Sequence, residues 1–197
     1  MKIRLNNILI NKTMIIGITG TLGSGKGTVV DYLVKEKNFK HYSVSGFLKE
    51  EMKKQGLEIN LSGIVRFANE LRAKHGSAYV VECLYVEARV SSGDSIIESL
   101  RTLGEIEALR TKEDFCLLAV DADIEKRYER IKGRSSDLDQ VSFEEFVAAE
   151  KDQMTSDDPN KQNLAACIAE ADYKLTNNGT IEDLYVQLEE VLPEILN

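Results

Sequence analysis

From Met14 onward, apolar runs of strand length alternate with stretches whose hydrophobic residues recur at helical spacing, nearly to the end of the chain. Met14 to Thr19 is a short continuous apolar run with Ile15, Ile16 and Ile18, as expected of a strand buried on both faces. Val29, Val30, Leu33 and Val34 then repeat with the period of a helix. Further strands are predicted near Tyr42 and over Ser95 to Glu98, Phe115 to Val120 and Tyr173 to Thr176. Helices are predicted around 46–55, 62–74, 78–90, 103–111, 123–132, 142–154, 160–171 and 180–191, and with only Pro159 and Pro193 little interrupts them. This alternation predicts an α/β protein: a three-layer α/β/α fold whose five-stranded parallel sheet carries helices on both faces. In such a sheet ligands sit beyond the carboxyl ends of the strands, so the residues just after each strand carry the chemistry.

After the first strand comes GTLGSGKGT, residues 20–28. Gly20, Gly23 and Gly25 lack a Cβ, so several backbone N–H groups can converge on one anion. Lys26 adds an ammonium, and the helix it opens adds its positive dipole end. The spacing from Gly20 through Gly25 to Lys26, between a strand and a helix, is that of a P-loop, which grips the phosphates of a nucleotide. Ser24, Gly27 and Thr28 complete the loop. Thr28 stands one position later than the hydroxyl that usually follows the lysine to meet Mg²⁺.

The 197 residues suit one domain, expected over 14–197, with residues 1–13 a basic extension too interrupted for a secretory signal. A formal net charge of −8 argues against a general nucleic-acid binder, so an anionic substrate must be gripped locally. Cys83, Cys116 and Cys167 are widely spaced, with no CxxC pair, and read as reduced thiols of a monomeric cytoplasmic protein. No apolar run is long enough to span a membrane.

Two further groups of charges follow the strands. Arg127, Arg130 and Arg134 share a face at spacings of three and four and lead into the polar stretch GRSSDLDQ, suited to a short lid over about 130–142. From the residues alone that face serves equally as a solvated surface paired with Glu125 and Glu129. Glu98 and Arg101 follow the third strand, Asp121 the fourth, and Asn177, Asn178 and Gly179 the fifth, where NNG also suits a plain turn. His41 and His75 lie outside every motif.

The GxGKGT form resembles the P-loop of adenylate kinase and its nucleoside monophosphate kinase relatives. RIKGR, Arg130 to Arg134, is similar to the RIxGR segment leading into the adenylate kinase lid, which implies that both arginines contact ATP phosphates. ESLRT, residues 98–102, resembles DGFPRT, which implies that Glu98 helps organise Mg²⁺ and Arg101 holds the acceptor phosphate. YSVSGFLK, residues 42–49, resembles ISTGDLLR and sets Lys49 where an arginine binds the monophosphate, with Gly46 where an aspartate stands. Arg66 and Arg72 on the next helix stand ready to supplement Lys49 within an acceptor-binding region over about 46–92. ADYKLTNNGT at 171–180 resembles dephospho-CoA kinase, which implies that Asn177, Asn178 and Gly179 lie near the adenine. The combination also looks like archaeal adenylate-kinase-related proteins.

These resemblances imply a Mg²⁺-dependent kinase that moves the γ-phosphoryl of ATP to a nucleoside monophosphate or similar small acceptor. Lys26, Arg101, Arg130 and Arg134 would act on the transferring group. Arg127 would touch the donor, Lys49 and Arg72 the acceptor, and Thr28, Glu98 or Asp121 the metal. Dephospho-CoA is the alternative acceptor, and a P-loop ATPase switch acting through a protein partner is the alternative of another class. A GTPase is disfavoured by the lack of an NKxD segment.

Overall fold

The computed structural model describes residues 13–91, 93–133, 142–159 and 161–196. Residues 1–12 of the expected extension and 134–141 of the expected lid, Arg134 among them, lie outside the described residues.

Five strands, β1 (Ile15–Thr19), β2 (Lys40–Ser43), β3 (Ser95–Leu100), β4 (Phe115–Asp121) and β5 (Tyr173–Thr176), form one parallel sheet in the order β2-β3-β1-β4-β5. The helices among the described residues are α1 (Lys26–Lys37), α2 (Val44–Lys54), α3 (Leu61–His75), α4 (Tyr79–Val90), α5 (Leu103–Arg110), α6 (Ile124–Lys132), α7 (Phe143–Met154), α8 (Leu164–Ala169) and α9 (Ile181–Ile195). β1 is central and wholly buried, and successive side chains leave it on opposite faces. Ile15 joins a core with Leu48, Phe67, Val81, Leu84, Leu109 and Cys167, contributed by α2, α3, α4, α5 and α8. Ile16 and Ile18 join the other, with Val29, Leu33, Leu184, Leu188 and Cys116, closed by α1 and α9. The expected three-layer α/β/α arrangement follows directly from that alternation.

Two helices differ from the sequence expectation. α8 begins only at Leu164, because Asn163 caps it through Ala166 N–H and the residues before it serve the site described below. α9 runs past Pro193 to Ile195. Proline forfeits one backbone bond there, but Leu192 and Ile195 are buried in the core and hold the last turn.

The strand ends are also irregular where it matters. Ile18 pairs with Glu98 but Thr19 pairs with Leu100, so Ser99 is an extra residue in β3, with φ of 73°. Such a bulge re-aims the neighbouring side chains, and it places Glu98 inside the strand rather than after it. A non-glycine residue in the left-handed region stores strain that surrounding contacts must hold.

Candidate active site

The loop between β1 and α1 turns on Gly20, Gly23 and Gly25, all with positive φ. A Cβ at Gly20 would lie 2.0 Å from the Val120 carbonyl, and one at Gly25 would lie 2.1 Å from Asn177 Nδ2. The loop is therefore packed against the ends of both β4 and β5. Gly25 caps α1 with no side-chain acceptor, and no acidic residue stands in the first turn. By contrast α2, α3, α5, α7, α8 and α9 are capped by Ser43, Asn60, Thr102, Ser142, Asn163 and Thr180. The N–H groups of the first turn of α1 are thus directed at whatever anion the loop receives. Ser24 is fully buried and its Oγ has no hydrogen-bond partner among the described residues. Lys26 Nζ donates to the carbonyls of Gly20 and Thr21, at 2.9 and 2.6 Å, so its ammonium folds over the loop. Gly27 is exposed and a Cβ there would meet nothing within 4 Å, and Thr28 follows it, half-buried.

On the β5 side, Asn177 Nδ2 donates to the Ser24 carbonyl at 2.8 Å, and Arg130 Nη2 donates to the Asn177 carbonyl at 2.7 Å. Arg130 Nη1 is buried without a partner among the described residues. Asn178 exchanges two hydrogen bonds with Asp123, its side-chain oxygen accepting from the Asp123 N–H and its Nδ2 donating to the carboxylate, which ties the β5–α9 turn to the start of α6. Gly179 is exposed in that turn, where a Cβ would lie 2.3 Å from Asp183 of the α9 cap. Arg127, expected to touch the nucleotide, directs its guanidinium to protein acceptors. Its Nε donates to the Ala122 carbonyl at 2.7 Å, Nη1 to the Leu22 carbonyl at 3.3 Å, and both Nη groups to Glu150 of α7. At 4% exposure it is no part of a solvated face, and it works as a strut between the P-loop, α6 and α7.

On the β3 side, Arg101 Nη1 donates to Gln153 Oε1 at 2.8 Å and to Gln162 Oε1 at 3.0 Å, while its carbonyl accepts from Asn163 N–H. Burial lowers the pKa of Arg101, disfavouring its charge, and the nearby Glu105 carboxylate partly offsets this. Glu105 is buried, accepts from the N–H groups of Arg101 and Thr102, and pairs with Arg72 at 3.1 Å. Arg72, expected at the acceptor, is itself 5% exposed and bonded to Glu105 and Asn69. Lys49 lies exposed on α2.

Two carboxylates are carried by the strands, Asp121 closing β4 and Glu98 within β3. Asp121 accepts from Thr21 Oγ at 2.8 Å. Glu98 accepts from His41 Nε2 and Ser99 Oγ, each at 2.8 Å. Burial raises the pKa of Glu98, but the His41 and Ser99 bonds, helped by Lys26, outweigh it and hold the carboxyl below its ordinary value.

A family model described as an AAA domain matches residues 16–151. A UPF0200 protein of Methanocaldococcus jannaschii is 31% identical over 187 residues, covering 93% of this chain and 91% of that relative. The chain belongs to the UPF0200 family, and its matched region is an AAA domain. Shikimate kinase from Bacteroides thetaiotaomicron superposes on this UPF0200 chain with a TM-score of 0.57 at 13% identity, covering 91% of this chain and 98% of the other. Shikimate kinase from Aquifex aeolicus gives 0.52 at 20%, covering 92% and 97%. At these identities the likeness is one of fold.

Among the described residues no three His, Cys, Asp or Glu side chains gather as a metal site. Mg²⁺ keeps several waters and takes one or two carboxylates together with phosphate oxygens. An ionised Glu98 under the influence of Lys26, and Asp121 against the loop, therefore suit a metal carried in with a nucleotide. The residues that the sequence reading passed over are His41, Glu105, Glu150, Gln153 and Gln162. Only Glu105 had a signal, because Thr102-Leu-Gly-Glu105 is a capping box.

Proposed function

We propose that this chain is a kinase that moves the γ-phosphoryl of ATP to a nucleoside monophosphate or a similar small phosphorylated acceptor. The observation that carries the reading is the company kept by four buried or part-buried arginines. Arg72 and Arg127 are neutralised by carboxylates, Glu105 and Glu150. Arg130 and Arg101 are held by neutral carbonyls, of Asn177 and of Gln153 and Gln162. Among the described residues, the two cations left without a bonded acid flank the P-loop strand, Arg130 toward β5 and Arg101 just after β3. That suits two anions meeting over one loop, which phosphoryl transfer requires.

In this mechanism the loop amides and Lys26 hold the donor phosphates, and the unpartnered Ser24 Oγ and Arg130 Nη1 supply donors for their oxygens. Arg101 aligns the acceptor, with Lys49 at the rim and Arg72 behind it bracing Glu105. An oxygen of the acceptor bonds to the γ-phosphorus as the bond to the β–γ bridging oxygen breaks, leaving ADP. Lys26, Arg130 and Arg134 offset the charge that spreads over the moving group. Glu98, Asp121 and Thr28 are the residues that would hold Mg²⁺, directly or through water, and the metal would supply positive charge to offset that of the phosphates. No covalent intermediate on the protein is required.

A panel of AMP, CMP, UMP, dTMP, GMP and dephospho-CoA assayed by ADP release tests the reading, with Lys26→Ala as control. A folded Lys26→Ala protein with full transfer would overturn it. Phosphorylation of dephospho-CoA alone would favour the second reading, dephospho-CoA kinase, which the packing of the NNG turn on the P-loop supports. ATP turnover indifferent to every acceptor, with a co-purifying protein, would favour an ATPase switch.

A further inference from the structure

α7 presents two side chains three positions apart, and each grips an arginine from a different part of the site. Glu150 takes Arg127 with a carboxylate, and Gln153 takes Arg101 with an amide carbonyl. The second amide on Arg101 comes from Gln162, 8% exposed, whose neighbour Asn163 also donates to the Arg101 carbonyl. The segment before α8 thus fixes both the backbone and the side chain of Arg101. Both amide carbonyls fall on Nη1, and among the described residues Nε and Nη2 donate to no protein group. A buried guanidinium that served only packing would gain most from a carboxylate, as Arg72 and Arg127 do. An amide orients the fork and leaves its charge in place.

We propose that Gln153 and Gln162 are positioning residues for the acceptor: they fix Arg101 between two neutral carbonyls so that its free edge stays charged for a phosphate oxyanion. This rests on the reading of Arg101 as the acceptor-side cation. A glutamate at either position would keep the bond to Nη1 and remove the charge from the site, whereas leucine would remove the bond and leave the charge.

The test uses the full chain saturated with a non-hydrolysable ATP analogue, so that the P-loop is filled, and titrates inorganic phosphate by calorimetry. Gln153→Glu and Gln162→Glu are each expected to weaken phosphate binding by about tenfold or more. Their melting temperature should be held or raised, and their affinity for the analogue should stay within about twofold of wild type. Gln153→Leu should fall between wild type and Gln153→Glu. Glutamate variants that bind phosphate as wild type does, or a leucine variant weaker than the glutamate one, overturn the proposal. Arg101→Gln answers separately for the underlying reading. If wild type binds no phosphate, or Arg101→Gln binds it equally, the acceptor role of Arg101 fails, whatever the glutamines do.

Discussion

At the scale of single residues, the two glycines around Lys26 do opposite things. Gly25 has φ of 106° and lies against Asn177, so alanine there is strained and clashes. Gly27 stands inside α1, exposed, with open space where a Cβ would go. Gly27→Ala is therefore expected to raise unfolding free energy by about 0.5 kcal/mol in urea titration. Because Gly27 belongs to the loop proposed to hold the donor, ATP affinity is expected to fall by about tenfold in calorimetry. Gly25→Ala should lower stability by about 1–2 kcal/mol or more. A Gly27→Ala protein that binds ATP undiminished would remove Gly27 from the nucleotide face. Glu98 gives a pH signature. Its folded pKa lies below the ordinary value because the His41 and Ser99 bonds overcome burial. Its stabilising contribution is then complete above the ordinary glutamate value, about 4.3, and is lost as pH falls through the lower folded value. The stability advantage of wild type over Glu98→Gln should accordingly be full at neutral pH and shrink in acid. A pH-independent difference would mean that the carboxylate is not held by these bonds.

Among the elements, α7 decides how the arms around the expected lid are fastened. The Arg127–Glu150 pair is almost wholly buried, its side chains 5% and 12% exposed, and it joins α6 to α7 while Arg127 also holds the P-loop carbonyl of Leu22. Breaking such a pair from one side leaves a buried charge. Glu150→Ala should cost about 3–5 kcal/mol by chemical denaturation, and Arg127→Met with Glu150→Leu should recover most of it. A single variant within about 0.5 kcal/mol of wild type would show that the strut bears no load. The contrast between this pair and the P-loop explains what the sequence could disclose. The strands, the helices and GTLGSGKGT are local patterns, readable because sheet, helix and phosphate loop each impose a short spacing. Glu150, Gln153, Gln162 and His41 reach partners 23, 52, 61 and 57 positions away. No spacing rule links them, so Arg127 and Arg72 read as ligand contacts when their acids stood elsewhere in the chain. The bulge at Ser99 was hidden for a related reason, since it exists only in register with β1.

For the whole molecule, the question is whether the two hydrophobic layers on either side of the sheet open together. The chain carries a probe in each: Cys116 packs in the layer of α1 and α9, and Cys167 in the layer of α2, α3, α4, α5 and α8. Burial pushes both thiols up to about 12, so neither offers appreciable thiolate at neutral pH while the fold is closed. Cys83 is only part-buried and should be labelled in the native protein. If 14–197 is one cooperative unit, Cys116 and Cys167 should be labelled at a single rate with the same denaturant dependence, because each waits for the same global opening. ATP binds at the junction of β1, β4 and β5 in the proposed function, and a ligand at about 100 times its Kd adds about 2.7 kcal/mol to the native state. Both thiols should then slow by about a hundredfold. Cys167 reacting well before Cys116, and without response to ATP, would divide the molecule along the sheet and make the acceptor-side layer a separately opening unit.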